Sequence, residues 1–130
     1  MPNTADILRK YRTIAVVGLS NNPMRPSYGV SEYMKRQGYK IIPVNPGHTQ
    51  ILGETSYPTL EAIPEPVEIV NIFRRSEMIP PIVDSALSIG AKVIWMQEGI
   101  EHGAAAEKAR AAGVEVVMNT CILKAHRRAI

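Results

Sequence analysis

Five short runs rich in β-branched and apolar residues, at 13–17, 40–44, 68–73, 92–96 and 114–118, alternate with segments of helical apolar spacing. That alternation limits the chain to a parallel sheet whose strands are joined by crossover helices. Ile14 to Val17 is apolar without interruption, as a strand covered on both faces requires. A first helix is expected from Asn3 or Thr4 through Tyr11, with Ile7, Leu8 and Tyr11 as its apolar stripe. A second runs from Tyr28 or Gly29 to Gln37, buries Val30, Tyr33 and Met34, and is closed by Gly38. Ser76 is placed to cap a third that carries Pro80 and Pro81 in its first turns and ends at Ile89. A fourth starts at His102 or Gly103 and runs to Ala112, and Thr120 caps a short terminal helix. Residues 51–66, with four prolines and glycines, read as a rigid surface loop with one helical turn near 60–63. The expected fold is a three-layer, doubly wound α/β sheet of about five parallel strands, in one domain over 1–130.

Composition bounds the function more than it names it. With 45% apolar and 21% charged residues the 130-residue chain can bury a core, which argues against disorder. A net charge of +3 favours an anionic small ligand, but no Lys/Arg run exceeds two residues, short of a nucleic-acid footprint. Aromatics are 5%, too few for base-stacking platforms. The lone cysteine, Cys121, forbids an intrachain disulfide, and neither a signal peptide nor a membrane-spanning run is evident. A cytoplasmic location is expected, with no nucleic acid and no membrane as partner.

In an open α/β sheet, ligands gather beyond the carboxyl ends of the strands, so the residues that follow each strand are the candidates. After the first come Gly18, Ser20, Asn21, Arg25, Ser27 and Tyr28. Gly18 allows close backbone approach, the serines offer hydroxyls, and Arg25 offers a planar fork for phosphate. Pro23 and Pro26 stiffen this loop. The glycines do not make the G-x-G-x-x-G pattern of a dinucleotide fold. After the second strand stand Asn45 and Pro46, where NAD binding calls for an acidic side chain on the ribose. Pro46 presents a rigid apolar surface to a base, and Asn45-Pro46-Gly47 also reads as a turn. Arg74 and Arg75 follow the third strand, one for the ligand and one for the surface. Gln97, Glu98 and Gly99 follow the fourth, and Trp95 is expected in the core. No nucleophile elbow or metal-ligand spacing is present, and His48, His102 and His126 read as solvent-exposed.

The motifs Val-Gly-Leu-Ser with Arg-Pro-Ser-Tyr-Gly-Val (17–30), Ile-Pro-Val-Asn-Pro (42–46), Ile-Leu-Gly-Glu (51–54), Ile-Phe-Arg-Arg (72–75), Trp-Met-Gln-Glu-Gly (95–99) and Asn-Thr-Cys-Ile (119–122) occur in this order. Together they resemble the small CoA-binding proteins, free-standing relatives of the N-terminal CoA-binding domain of the succinyl-CoA synthetase alpha subunit. The resemblance implies a Rossmann-like domain holding the nucleotide half of coenzyme A. It implies that Gly18, Ser20, Arg25 and Ser27 meet the phosphates, and that Val44, Asn45 and Pro46 flank the adenosine with Ile72, Phe73 and Arg74 beside them. Gln97 and Gly99 then line the path of the pantetheine arm. The synthetase's catalytic histidine lies in a second domain and is not among these motifs, so ligase activity is not carried over. The chain departs from the family at Thr120, where an arginine is usual.

The reading that results is a binder of coenzyme A or an acyl-CoA without chemistry of its own: a sensor, carrier or regulator in acyl-CoA metabolism. The rival readings are an enzyme acting on a CoA thioester through Glu98 or Cys121, and an NAD(P)-binding domain, which Asn45 and the glycine pattern disfavour. A mixed disulfide between Cys121 and the CoA thiol is a further expectation. A homodimer or another protein partner is left open.

Overall fold

The computed structural model describes residues 2–130. Its main sheet is parallel. Strands β1 (Thr13–Val17), β2 (Lys40–Val44), β5 (Ile69–Ile72), β6 (Val93–Met96) and β7 (Glu115–Val117) lie in the order β2-β1-β5-β6-β7. A small antiparallel hairpin of β3 (Gln50–Ile51) and β4 (Glu54–Thr55) forms a second sheet, and Tyr57 just beyond it bridges in parallel to Val44 of β2. The helices are α1 (Thr4–Lys10), α2 (Pro26–Arg36), α3 (Ile79–Ser88), α4 (Gly103–Ala111) and α5 (Ile122–Ala129). The fold is therefore the Rossmann-like α/β sandwich expected from the alternating pattern.

Alternation along each strand divides the core between the two faces of the sheet. Val16, Ile41, Ile69, Val93 and Trp95 pack with Ile7 and Leu8 of α1, Met34 of α2 and Ile122 of α5. Val17, Val44, Val70, Ile72 and Met96 pack with Ile79 and Val83 of α3 and Ala106 and Ala109 of α4. Trp95 is fully buried, and its indole N–H donates to the carbonyl of Thr120 at 2.8 Å, so its one polar atom is satisfied.

Local chemistry moved several boundaries. Helix α2 starts at Pro26, two residues earlier than expected, because proline suits the first helical position and Arg25 supplies the extended N-cap. Ser76 does not cap α3. Its hydroxyl oxygen accepts from the amide of Glu101 at 3.1 Å, and a 3₁₀ turn over Ser76–Met78 precedes the helix. Thr120 does not cap α5 either: its hydroxyl donates to the Met118 carbonyl at 2.9 Å, and Cys121 is the N-cap residue. Within 51–66 the expected turn is a 3₁₀ turn at Leu60–Ala62, whereas the β3–β4 hairpin was not expected. His126 is buried, not solvent-exposed: 7% of its surface is accessible, and Nδ1 lies 2.8 Å from the Tyr33 hydroxyl.

Candidate functional site

Register assembles the site. Val17 sits beside both Val44 and Ile72, and Ile72 beside Met96, so four strands end level at their carboxyl ends. Gly18, Asn45, Phe73 and Gln97 therefore begin their loops along one line. The strand order reverses between β1 and β5, since the chain leaves β1 for β2 on one side and returns to β5 on the other. At that switch point the two loops diverge and leave a crevice.

A cleft of about 440 Å³ occupies it. The β1 loop contributes Gly18, Ser20, Asn21, Arg25 and Ser27; the β2 end contributes Val44, Asn45 and Pro46; the β5 end contributes Phe73 and Arg74. Gly18 is in the left-handed region at φ +86°, and a Cβ there would stand 2.5 Å from the Phe73 carbonyl oxygen and 2.9 Å from Arg74 Cδ. Only glycine lets the β1 loop cross the end of β5 this closely. Its N–H donates to the Val44 carbonyl at 3.0 Å, which prolongs the β1–β2 pairing into the loop.

The loop beyond is stapled to itself. The Ser20 amide donates to Ser27 Oγ at 2.9 Å, the Asn22 amide to Ser20 Oγ at 3.0 Å, and the Met24 amide to Asn22 Oδ1 at 3.0 Å. Both serine oxygens thus accept from the backbone, while each hydroxyl keeps its own hydrogen to donate. Asn45 ties the two loops together, donating from Nδ2 to the Leu19 carbonyl at 3.0 Å. Its Oδ1 accepts from the Gly47 amide at 2.8 Å, so the segment is a turn as well as a wall of the cleft.

The electrostatics favour an anion. Arg25 ends at the N-terminus of α2 with no side-chain capping bond, and the first turn of that helix has no acidic residue. No acidic side chain lines the cleft. Among the described residues the ion pairs use other cations and leave the guanidiniums of Arg25 and Arg74 unpaired. Two residues of the lining were missed by the sequence reading, Pro26 and His48. His48 stands two positions beyond Pro46 on the same turn, a nearness that the assignment of all three histidines to the surface overlooked.

Four expected residues lie outside the cleft. Tyr28 is half-buried and packs on the α1/α2/α5 side of the core; Ile72 is fully buried on the other side. Gln97 is buried and donates from Nε2 to Asn71 Oδ1 at 2.6 Å, an amide pair between β6 and β5. Gly99 lines a shallower depression that shares Phe73 and Arg74 with the cleft and continues to Glu77 and Ile100. Its amide donates to Asn119 Oδ1 at 2.6 Å. Glu98 points elsewhere, paired with Lys124 at 3.0 Å; that carboxylate holds the Lys124 ammonium above its ordinary pKa. No cluster of side chains suited to a metal ion occurs among the described residues, and no helix there is long and apolar enough to cross a membrane.

The CoA binding domain family matches residues 12–127. The chain is 42% identical to the Bacillus subtilis (strain 168) protein YneT over 121 residues, covering 93% of this chain and 90% of that one. A hypothetical protein from Pyrococcus horikoshii OT3 superposes with a TM-score of 0.94 at 36% identity, over 97% of this chain and 89% of the other. The acetate–CoA ligase (ADP-forming) II of Archaeoglobus fulgidus is 29% identical over 83 residues, 62% of this chain but only 12% of the ligase.

Proposed function

The chain belongs to the CoA-binding domain family, and on that premise we propose that it binds coenzyme A or an acyl-CoA through the adenosine phosphate moiety at the carboxyl ends of β1, β2 and β5. The observation that carries this reading is the cleft at the strand-order switch point, with two unpaired arginines and no acid in its lining. The diphosphate lies between the Gly18–Ser27 loop and Arg74, against the open end of α2. Arg25 and Arg74 supply the positive charge for that group and for the additional ribose phosphate, and His48 adds a ring nitrogen to the same wall. The depression running from Phe73 to Gly99 and Ile100 gives the pantetheine arm an open track. NAD is the poorer match, because Asn45 spends its carboxamide on the Leu19 carbonyl and the Gly47 amide where a ribose would need a carboxylate.

The role is binding without chemistry of its own, as a cytoplasmic sensor, carrier or regulator of acyl-CoA metabolism. Glu98, engaged with Lys124, is not poised as a free base. Calorimetric titration with CoA, NAD and NADP tests the reading. CoA is expected to bind one per chain and NAD not measurably; tight NAD binding without CoA binding would sink it.

A further inference from the structure

The end of the sheet opposite the cleft carries positive charge that the chain does not neutralise. Helices α1, α2 and α5 cover one face of the sheet, and α5 packs on both of the others. Since α1 leads into β1, α2 leads into β2 and α5 runs back from β7, all three finish at the amino ends of the strands. Each finishes on cations: Arg9 and Lys10, Lys35 and Arg36, Arg127 and Arg128. The dipole at a helix C-terminus stabilises a cation, so these side chains need no acid to hold them there.

Part of this charge is paired and part is not. Arg9 meets Asp6 at 3.4 Å, Lys35 meets Glu54 at 3.0 Å and Arg36 meets Glu32 at 3.9 Å. Lys10, Arg12, Arg127 and Arg128 are exposed and lie outside every ion pair among the described residues. Two acids near the start of the strands are already engaged. Glu68 accepts from the backbone amides of Arg12 and Thr13 at 2.8 and 3.0 Å, and Glu65 pairs with Lys40.

The unpaired cations are also held in place. The Arg12 guanidinium lies 4.9 Å from the Tyr39 ring centre, Arg127 lies 5.8 Å from that of Tyr33, and the Lys10 ammonium 5.3 Å from that of Tyr11. His126 stands edge-on to both Tyr33 and Tyr39, so the rings that carry the guanidiniums are themselves fixed by packing. A guanidinium lodged on a ring keeps its N–H fork for a carboxylate and loses little freedom in binding one. Nucleic acid fits less well, because each of these rings is already covered by a cation and none is open to a base. A lipid surface has little to hold. The exposed large apolar side chains among the described residues are Ile130 and Met24, and Met24 is on the loop at the other end of the sheet.

We propose that this face docks an acidic segment of a partner protein, with carboxylates on the forks of Arg12 and Arg127 and flanking contacts to Lys10 and Arg128. Charge complementarity selects such a partner, since four cations stand free where the neighbouring acids are spent. The face lies across the sheet from the cleft, so a partner and a nucleotide do not compete. The inference stands apart from the coenzyme A reading.

The test titrates the full chain with a fluorescein-labelled octaglutamate peptide at low salt, read by anisotropy. Three double variants are compared: Arg12→Gln with Arg127→Gln, Lys10→Gln with Arg128→Gln, and Arg25→Ala with Arg74→Ala. The second leaves the Tyr33–His126–Tyr39 packing untouched, and circular dichroism checks that each variant is folded. The first is expected to weaken the peptide about fivefold and the second about threefold, as exposed ion pairs allow, with the cleft variant unchanged. No binding by the parent, equal affinity in both surface variants, or a loss confined to the cleft variant overturns the proposal. Vesicles of phosphatidylserine and phosphatidylcholine are expected not to sediment the chain; sedimentation without peptide binding would assign the face to a membrane instead.

Discussion

At Gly18 one missing methyl group carries both fold and site. A Cβ there would sit 2.5 Å from the Phe73 carbonyl oxygen in a backbone conformation that L residues avoid, so β1 and β5 would have to part at the edge where the ligand lies. Gly18→Ala should cost about 1–3 kcal/mol in urea unfolding and weaken CoA binding as well. Unchanged stability would mean that the strand ends yield at no cost. The arginines are predicted to act differently. Arg25 and Arg74 are exposed and outside every ion pair among the described residues, so truncation leaves no carboxylate stranded. Arg25→Ala and Arg74→Ala should leave urea midpoints nearly unchanged, yet each should weaken CoA by about 1.5–3 kcal/mol, the range of a charged hydrogen bond. The loss should shrink as salt rises, because ions screen exposed charges. Equal affinity in both variants at low salt would remove the phosphates from this cleft.

Helix α5 is held by an aromatic cluster at the far end of the sheet from the cleft. His126 lies edge-on to Tyr33 and Tyr39, with ring centroids 5.5 and 5.7 Å away, and the Arg12 guanidinium sits 4.9 Å from the Tyr39 ring centre. Burial, and then the charge of Arg12, push the His126 imidazole below its ordinary pKa of 6.5. The neutral ring's contribution is therefore complete above pH 6.5. It is lost as the pH falls toward the lowered value in the folded chain, because the unfolded chain takes up the proton first. Urea midpoints should fall between pH 7 and 5, and His126→Gln should flatten that part of the profile; an identical slope in the variant would assign the dependence elsewhere. The spacing from Ile122 and Ala125 puts His126 on the buried face of α5, but that a polar ring is held there is decided by Tyr33 and Tyr39 from other elements. The hairpin at 50–55 was hidden for a related reason. Its turn places Leu52 at φ 56° and Gly53 at φ 74°, where Asn-Gly is the usual signal. Leu52 is held there from outside, its carbonyl accepting from Lys35 Nζ at 2.6 Å while the same ammonium pairs with Glu54 at 3.0 Å. The five main strands were legible because each reads as a largely apolar, β-branched run, interrupted only by Asn71 within β5 and by polar residues at the first positions of β1, β2 and β7. The starts of α3 and α5 were not, because Ser76 bonds across to the Glu101 amide and Thr120 to Met118 within its own loop, neither to its own helix.

For the molecule as a whole, parallel pairing in level register brings residues from 18, 45 and 73 to one crevice, although each follows a different crossover. Ten of the fourteen expected site residues line it, because position after a strand end is a property of the sequence. The other four show what that rule omits. Side-chain alternation turns Ile72 into the core, Gln97 is claimed by Asn71, Tyr28 packs down its helix, and Gly99 falls one strand further along. A ligand in the crevice would join three loops that Asn45 and Gly18 already bring together, so binding and global stability should be linked. With CoA at about one hundred times its dissociation constant, linkage adds about 2.7 kcal/mol to unfolding. For a domain of this size that is an increase in Tm of roughly 6–15 °C. NAD at the same concentration should leave Tm within about 1 °C, since it lacks its carboxylate partner at Asn45. The increase should also be smaller in Arg74→Ala and absent in a variant lacking both Arg25 and Arg74. A CoA-dependent rise in Tm that survives the loss of both arginines would move the nucleotide out of the switch-point crevice and onto another surface of the sheet.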